Sequence, residues 1–117
     1  VANQINERIK RLEGLCTELD EAGQNKADAI ANYDLSLAVA MAKITRGALS
    51  QIEGEILPDS VPATAAKEYA KGACSKERAE LELANVKYKS LTTKIDTLLA
   101  TINAKQSIFR HLSHEVK

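Results

Sequence analysis

Apolar side chains recur at alternating spacings of three and four along the second half of the chain. They stand at Leu81, Ala84, Tyr88, Leu91, Ile95, Leu98, Ile102, Phe109, Leu112 and Val116, with Lys105 as one polar break. Such a stripe lies along one face of an α-helix, and sustained over several heptads it predicts a coiled-coil seam. The first half begins a similar stripe at Ile5, Ile9, Leu12, Cys16 and Leu19, interrupts it at Gly23 and Lys26, and resumes it in the same register at Ile30, Tyr33, Leu37, Ala40 and Ile44. The interruption predicts a first helix that is kinked or broken near Gly23. Between the halves lies Leu57, Pro58, Asp59, Ser60, Val61, Pro62, where two prolines remove backbone donors and push the preceding residues out of helical conformation. The pattern therefore predicts one helical domain over residues 1–117, with a helix over 2–56, a turn over 57–63 and a helix over 64–115. Ser60 or Thr64 is placed to cap the second helix, Thr64 with Glu68 one turn later.

Folding back about residue 60 sets positions whose numbers add to roughly 120 side by side, as in an αα-hairpin. In that register the charges become complementary: Glu13 to Asp34 holds six acids and one base, while Leu83 to His114 holds five bases and one acid. Pairs of this kind select the antiparallel arrangement more than they stabilise it. Near the turn Gly47, Ala48 and Gly54 face Ala63, Ala66, Ala70, Gly72 and Ala73, which predicts close backbone approach. The same register keeps Cys16 and Cys74 too far apart along the axis to bridge. The fold class is thus all-α: a long antiparallel helical hairpin, coiled-coil-like, oligomerising into a helical bundle. Oligomerisation is expected because Leu15, Leu35, Val39, Leu49, Leu83, Val86, Leu99 and Ile108 lie beside or off the seams of a hairpin with little interior. A three- or four-helix monomer made by breaking the first helix near Gly23 is the competing arrangement.

Composition narrows the function classes. The 117 residues suit one small domain, and a 44% hydrophobic fraction with three Tyr, one Phe, no Trp and two Pro favours helix throughout. Sixteen basic and sixteen acidic residues leave no net charge, which excludes a polybasic or acidic interaction tail and confines any electrostatic binding to local patches. The most apolar window, Leu35 to Ile44, contains Ser36 and Lys43 and is only about half the length of a membrane span. No basic region leading into an apolar core marks residues 1–7 as a signal peptide. Two cysteines make no disulfide framework, so free thiols in a reducing, cytoplasmic setting are expected.

The candidate chemistry is thin. His111, His114 and Glu115 fall on about one helical turn, but a metal site needs a further ligand from a second element, and solvated histidines are the simpler reading. Cys74 precedes Lys76 and Arg78, which would lower its pKa, yet no histidine is placed as its base, and a small, partly buried helix residue explains it. Gly47, Gly54 and Gly72 form no phosphate-binding loop. Glu80 with Glu82, and Asp20 with Glu21, point to different helix faces and suggest no acid–base pair. The chain is therefore expected to be no enzyme and to carry no cofactor. The basic residues form two groups. Arg8, Lys10 and Arg11 gather with Arg110 and Lys117 at the open end of the hairpin; Lys43 and Arg46 lie near Lys71, Lys76 and Arg78 towards the other. Oligomerisation would repeat each patch along a phosphate backbone, although ordinary solvated helix faces would give the same sequence.

The run Asn32-Tyr33-Asp34-Leu35-Ser36-Leu37-Ala38, followed by Ala40, Ala42, Lys43 and Arg46, a proline-containing turn, then Ala66, Tyr69, Ala70, Arg78, Ala84 and Tyr88, resembles small helical bacteriophage proteins. A terminal Leu98, Ile102, Ser107, Arg110, Ser113, Glu115 continues the resemblance. In length and pattern these are similar to phage recombination mediators, which oligomerise through helices, bind single-stranded DNA and load a recombinase. The chain departs from the better-known mediator in lacking its aromatic clusters and basic excess. The resemblance implies a non-enzymatic accessory protein of the host cytoplasm, with a homo-oligomer, single-stranded DNA and a recombinase as partners and no membrane. It also implies Lys43, Arg46, Lys71, Lys76 and Arg78 as phosphate contacts, and Leu98, Ile102, Phe109 and Leu112 as the oligomer interface. A structural, adaptor or chaperone-like coiled coil acting only through protein contacts stands beside it.

Overall fold

The computed structural model describes residues 2–47, 51–52, 55–57 and 61–115. Along them the chain forms α1 (Ala2–Thr45), β1 (Gln51–Ile52), β2 (Glu55–Ile56), α2 (Ala63–Ala73) and α3 (Ser75–Glu115). The fold is all-α. Its only ladder among the described residues is two residues long and antiparallel, with Gln51 opposite Ile56 and Ile52 opposite Glu55. Where periodicity alone predicts a single hairpin domain, the chain divides into two compact units, Val1–Gln24 with Val86–Lys117, and Asn25–Asn85.

In the first unit the start of α1 runs antiparallel to the later part of α3. Lys105 Nζ donates to Oε1 of Gln4 at 3.0 Å, and Gly23 lies against the ring of Tyr88. A fold-back about residue 60 requires partners near 116 and 97 for these two positions, so the register is offset from the one predicted. Leu91, Ile95, Leu98 and Ile102 are buried on α3, as its seam requires, and Ile5 and Ala22 on α1. Ile9, Leu12, Leu15 and Leu19 are half-buried, whereas Cys16 is exposed. The stripe on α1 thus passes through Leu15 and Ala22 rather than Cys16, one position and about 100° away from the predicted seam. The first helix is not broken at Gly23, because α1 is helical from Ala2 to Thr45. The glycine instead leaves room for an aromatic ring.

In the second unit Tyr33, Leu37, Ala40, Met41 and Ile44 of α1 pack with Ala66, Tyr69 and Ala70 of α2, closed by Ile52, Leu57, Val61 and Cys74. Ala66 and Ala70 are buried, Ala70 completely, and such small side chains let neighbouring backbone approach where a leucine would hold it off. The first helix ends at Thr45, well before the predicted residue 56. Gly47, at φ 71°, takes the left-handed conformation that stops a helix, and its N–H reaches back to the carbonyl of Ile44 at 3.1 Å. The second helix begins as predicted after Pro62, but its cap is the Pro62 carbonyl, which accepts from Ala65 and Ala66 at 3.0 and 2.9 Å. No side chain caps it, so Thr64 does not act as proposed; Ser60 lies outside the described residues, as do Ala48 and Gly54. One residue, Cys74, separates α2 from α3. Its N–H is shared between the carbonyls of Ala70 and Lys71, and its own carbonyl accepts from Arg78 at 2.9 Å.

Candidate functional site

Arg8 and Arg11 stand about one turn apart and so share a face of α1, while Lys10 points elsewhere. Lys94 and Lys105 stand about three turns apart and share a face of α3. The offset register of the first unit brings these two faces together. Gln4, Glu7, Arg8, Arg11 and Lys105 line an open cleft of about 410 Å³. A second, of about 240 Å³, takes the same two arginines together with Lys94, the apolar Leu15 and Leu98, and Thr93, Thr97 and Thr101. Thr101 already donates its hydroxyl to the Thr97 carbonyl at 2.9 Å. Glu7 is the one carboxylate in the linings.

Lys105 is the unusual member. It occupies a seam position, is half-buried, and its contact across the helix pair is to a neutral amide. A lysine partly removed from water gains more from an anion than from a carbonyl dipole. By contrast, Lys71 pairs with Glu68 at 3.4 Å and Arg78 with Glu82 at 3.3 Å, each within one helical turn. Two of the five bases predicted to contact phosphate, Lys43, Arg46, Lys71, Lys76 and Arg78, are therefore already neighboured by carboxylates. Lys43, Arg46 and Lys76 are exposed, and all five belong to the second unit. Sequence reading missed Lys94 and Lys105 as partners of Arg8 and Arg11. Their three-turn spacing was visible, but not the register that sets them opposite the arginines.

The predicted oligomer interface also divides. Leu98 and Ile102, 6% and 5% exposed, are consumed within the chain and are not available to a second copy. Phe109 and Leu112 are exposed with Ile108 on the last turns of α3. Phe109 borders a depression of about 380 Å³ with Ala2, Ile5, Asn6, Gln106 and Arg110. Of the aromatic residues, Tyr33 and Tyr69 pack on the second core and Tyr88 on Gly23, which leaves Phe109 as the exposed ring among the described residues.

Other chemistry is sparse. Burial pushes the Cys74 thiol above its ordinary value, and the neighbouring Glu77 carboxylate adds to the effect, the opposite of the lowering expected from Lys76 and Arg78. The thiol is therefore held protonated rather than activated. Among the described residues no three His, Cys, Asp or Glu side chains gather as a metal site; His111 is exposed, and the side chains of His114 and Glu115 lie outside the description. No described helix is long and apolar enough to cross a membrane. No known protein family, curated protein or solved structure matches the chain.

Proposed function

We propose that this chain is a non-enzymatic accessory protein that assembles through its helices and acts by holding partners, with single-stranded DNA as ligand and a recombinase as protein partner, the role of a recombination mediator. The observation that carries the reading is the apolar surface left over after folding. Leu35, Val39, Leu83, Val86, Leu99, Ile108, Phe109 and Leu112 stay exposed on helices whose opposite faces are packed. Scattered apolar residues are normal on a protein surface, but side chains three and four apart on one helix, such as Leu35 with Val39 and Ile108 with Leu112, form stripes of the kind that partner helices cover.

Titration of labelled single- and double-stranded oligonucleotides at about 50 and 200 mM salt tests the DNA part, because phosphate contacts weaken steeply over that range. Light scattering at micromolar concentration tests assembly. Binding that prefers single strands and falls with salt, together with a mass above one chain, supports the reading; a one-chain mass with no strand binding at either salt removes it. The second reading is an adaptor that works through protein contacts alone, favoured by the carboxylates beside Lys71 and Arg78 and by the packed tyrosines. Assembly without strand binding selects it.

A further inference from the structure

We infer that the paired clefts of the first unit bind phosphate groups of a polyanion, with Arg8, Arg11, Lys94 and Lys105 supplying the charge. The inference deepens the DNA-binding reading by moving the phosphate contacts away from the second unit, and it relies on that reading only for single-stranded DNA as the natural ligand.

Three observations converge on it. The two clefts share Arg8 and Arg11, so the four cations edge one continuous surface. Lys105 is half-buried, and the side chain it meets across the helix pair is the neutral Gln4 amide rather than a carboxylate. The spacing also fits: Lys94 and Lys105 lie about 16 Å apart along α3 at 1.5 Å per residue. That separation lets the two lysines meet different phosphates along one strand, and the arginines face it from α1. The four cations suit backbone phosphates, so recognition is chiefly of backbone charge.

The test uses the full chain with a fluorescein-labelled oligothymidylate of about 15 nucleotides, inorganic tripolyphosphate as competitor, and melting temperature with each ligand as a second readout. Two variants are compared with the wild type: Arg8→Gln/Arg11→Gln/Lys94→Gln, and Lys43→Gln/Arg46→Gln, each checked for an unchanged helical circular dichroism spectrum. Lys105→Gln follows as a single change. The expected result is a loss of strand affinity of at least about tenfold in the first variant, with a salt slope shallower by about two, and near wild-type binding in the second. Competition by tripolyphosphate identifies phosphate charge as the shared determinant, and its failure to compete assigns the site to an extended strand. If the wild type binds tripolyphosphate but no strand, and the first variant loses that binding, the cleft stands and the DNA reading falls. If the first variant binds as the wild type while the second does not, the DNA reading stands and this inference is overturned. Binding of neither ligand by the wild type also overturns it.

Discussion

Gly23 on α1 and Tyr88 on α3 meet so closely that a Cβ placed on the glycine would stand 3.4 Å from Cε2 of the ring. That is ordinary contact for a methyl group and too near for anything larger. Gly23→Ala should therefore be tolerated, with the gain in helix propensity of up to about 1 kcal/mol offsetting any readjustment. Gly23→Leu should cost about 1–3 kcal/mol by displacing the tyrosine. Urea unfolding of both variants beside the wild type checks the pair, and equal stability of the two would mean the ring is not seated there.

Glycines elsewhere separate conformational need from mere presence. A Cβ at Gly14 meets nothing within 4 Å, and the residue lies inside α1, so Gly14→Ala should stabilise the protein by about 0.5–1 kcal/mol. Gly47→Ala forces a side chain into φ 71° and should destabilise by about 1–2 kcal/mol, although no neighbour obstructs it. Opposite shifts in melting temperature are the expected outcome.

Packing assigns different penalties to leucines that look alike in sequence. Leu98 is 6% exposed and Leu83 is 71% exposed. Leu98→Ala should cost about 2–5 kcal/mol, whereas Leu83→Ala should stay within about 0.5 kcal/mol. Comparable losses at the two positions, measured in dilute protein, would show that Leu83 is covered in solution.

Assembly is tested at side chains the fold does not consume. Phe109→Lys with Leu112→Lys should lower the mass seen in light scattering and leave the monomer folded, since both residues are exposed. Introducing lysine at Leu98 should instead unfold the chain, because it buries an unpaired charge. An unchanged oligomer in the Phe109 and Leu112 variant would place the interface on another stripe, such as Leu35 and Val39.

The thiols should respond differently to alkylation and to pH. Cys16 is exposed and should react with iodoacetamide in the native protein; Cys74 is 3% exposed and should react only when its unit opens. Burial and then Glu77 raise the Cys74 pKa above 9.0. As pH passes 9.0 the unfolded thiol ionises while the folded one keeps its proton. Unfolding then releases a proton, so stability falls with rising pH until the folded thiol also ionises. Urea midpoints at pH 8 and 10 should show a decline that is smaller in Cys74→Ala.

The second half of the chain was the more legible. From Leu81 to Lys105 every position of the predicted seam is buried or half-buried, because Leu, Ile and Tyr at coiled-coil spacing leave one helical phase open. In the first half the choice of Cys16 over Leu15 rested on residues that both pass as apolar, and only contact with α3 decides between them. The end of α1 was overrun for a local reason: Ile52 and Ile56 continue a helical pattern as readily as they form a short ladder, and the deciding feature is the backbone of Gly47. The cationic cleft was hidden by register. Charge counts placed Arg8 and Arg11 at an open end, and they carry no sign of the offset that sets Gln4 beside Lys105.

The joint at Cys74 carries a further consequence, in the counting of residues rather than their chemistry. Ala66, Ala70, Cys74, Glu77, Leu81 and Ala84 form one run of buried and half-buried positions that crosses from α2 into α3 without losing phase. A connection one residue long has no slack to absorb an insertion. A residue added after Cys74 would turn Leu81 and Ala84 by about 100° relative to the side chains of α2, while an added seven, close to two full turns, would bring them nearly back. The reading frame of the stripe, more than the cysteine itself, is what that position preserves.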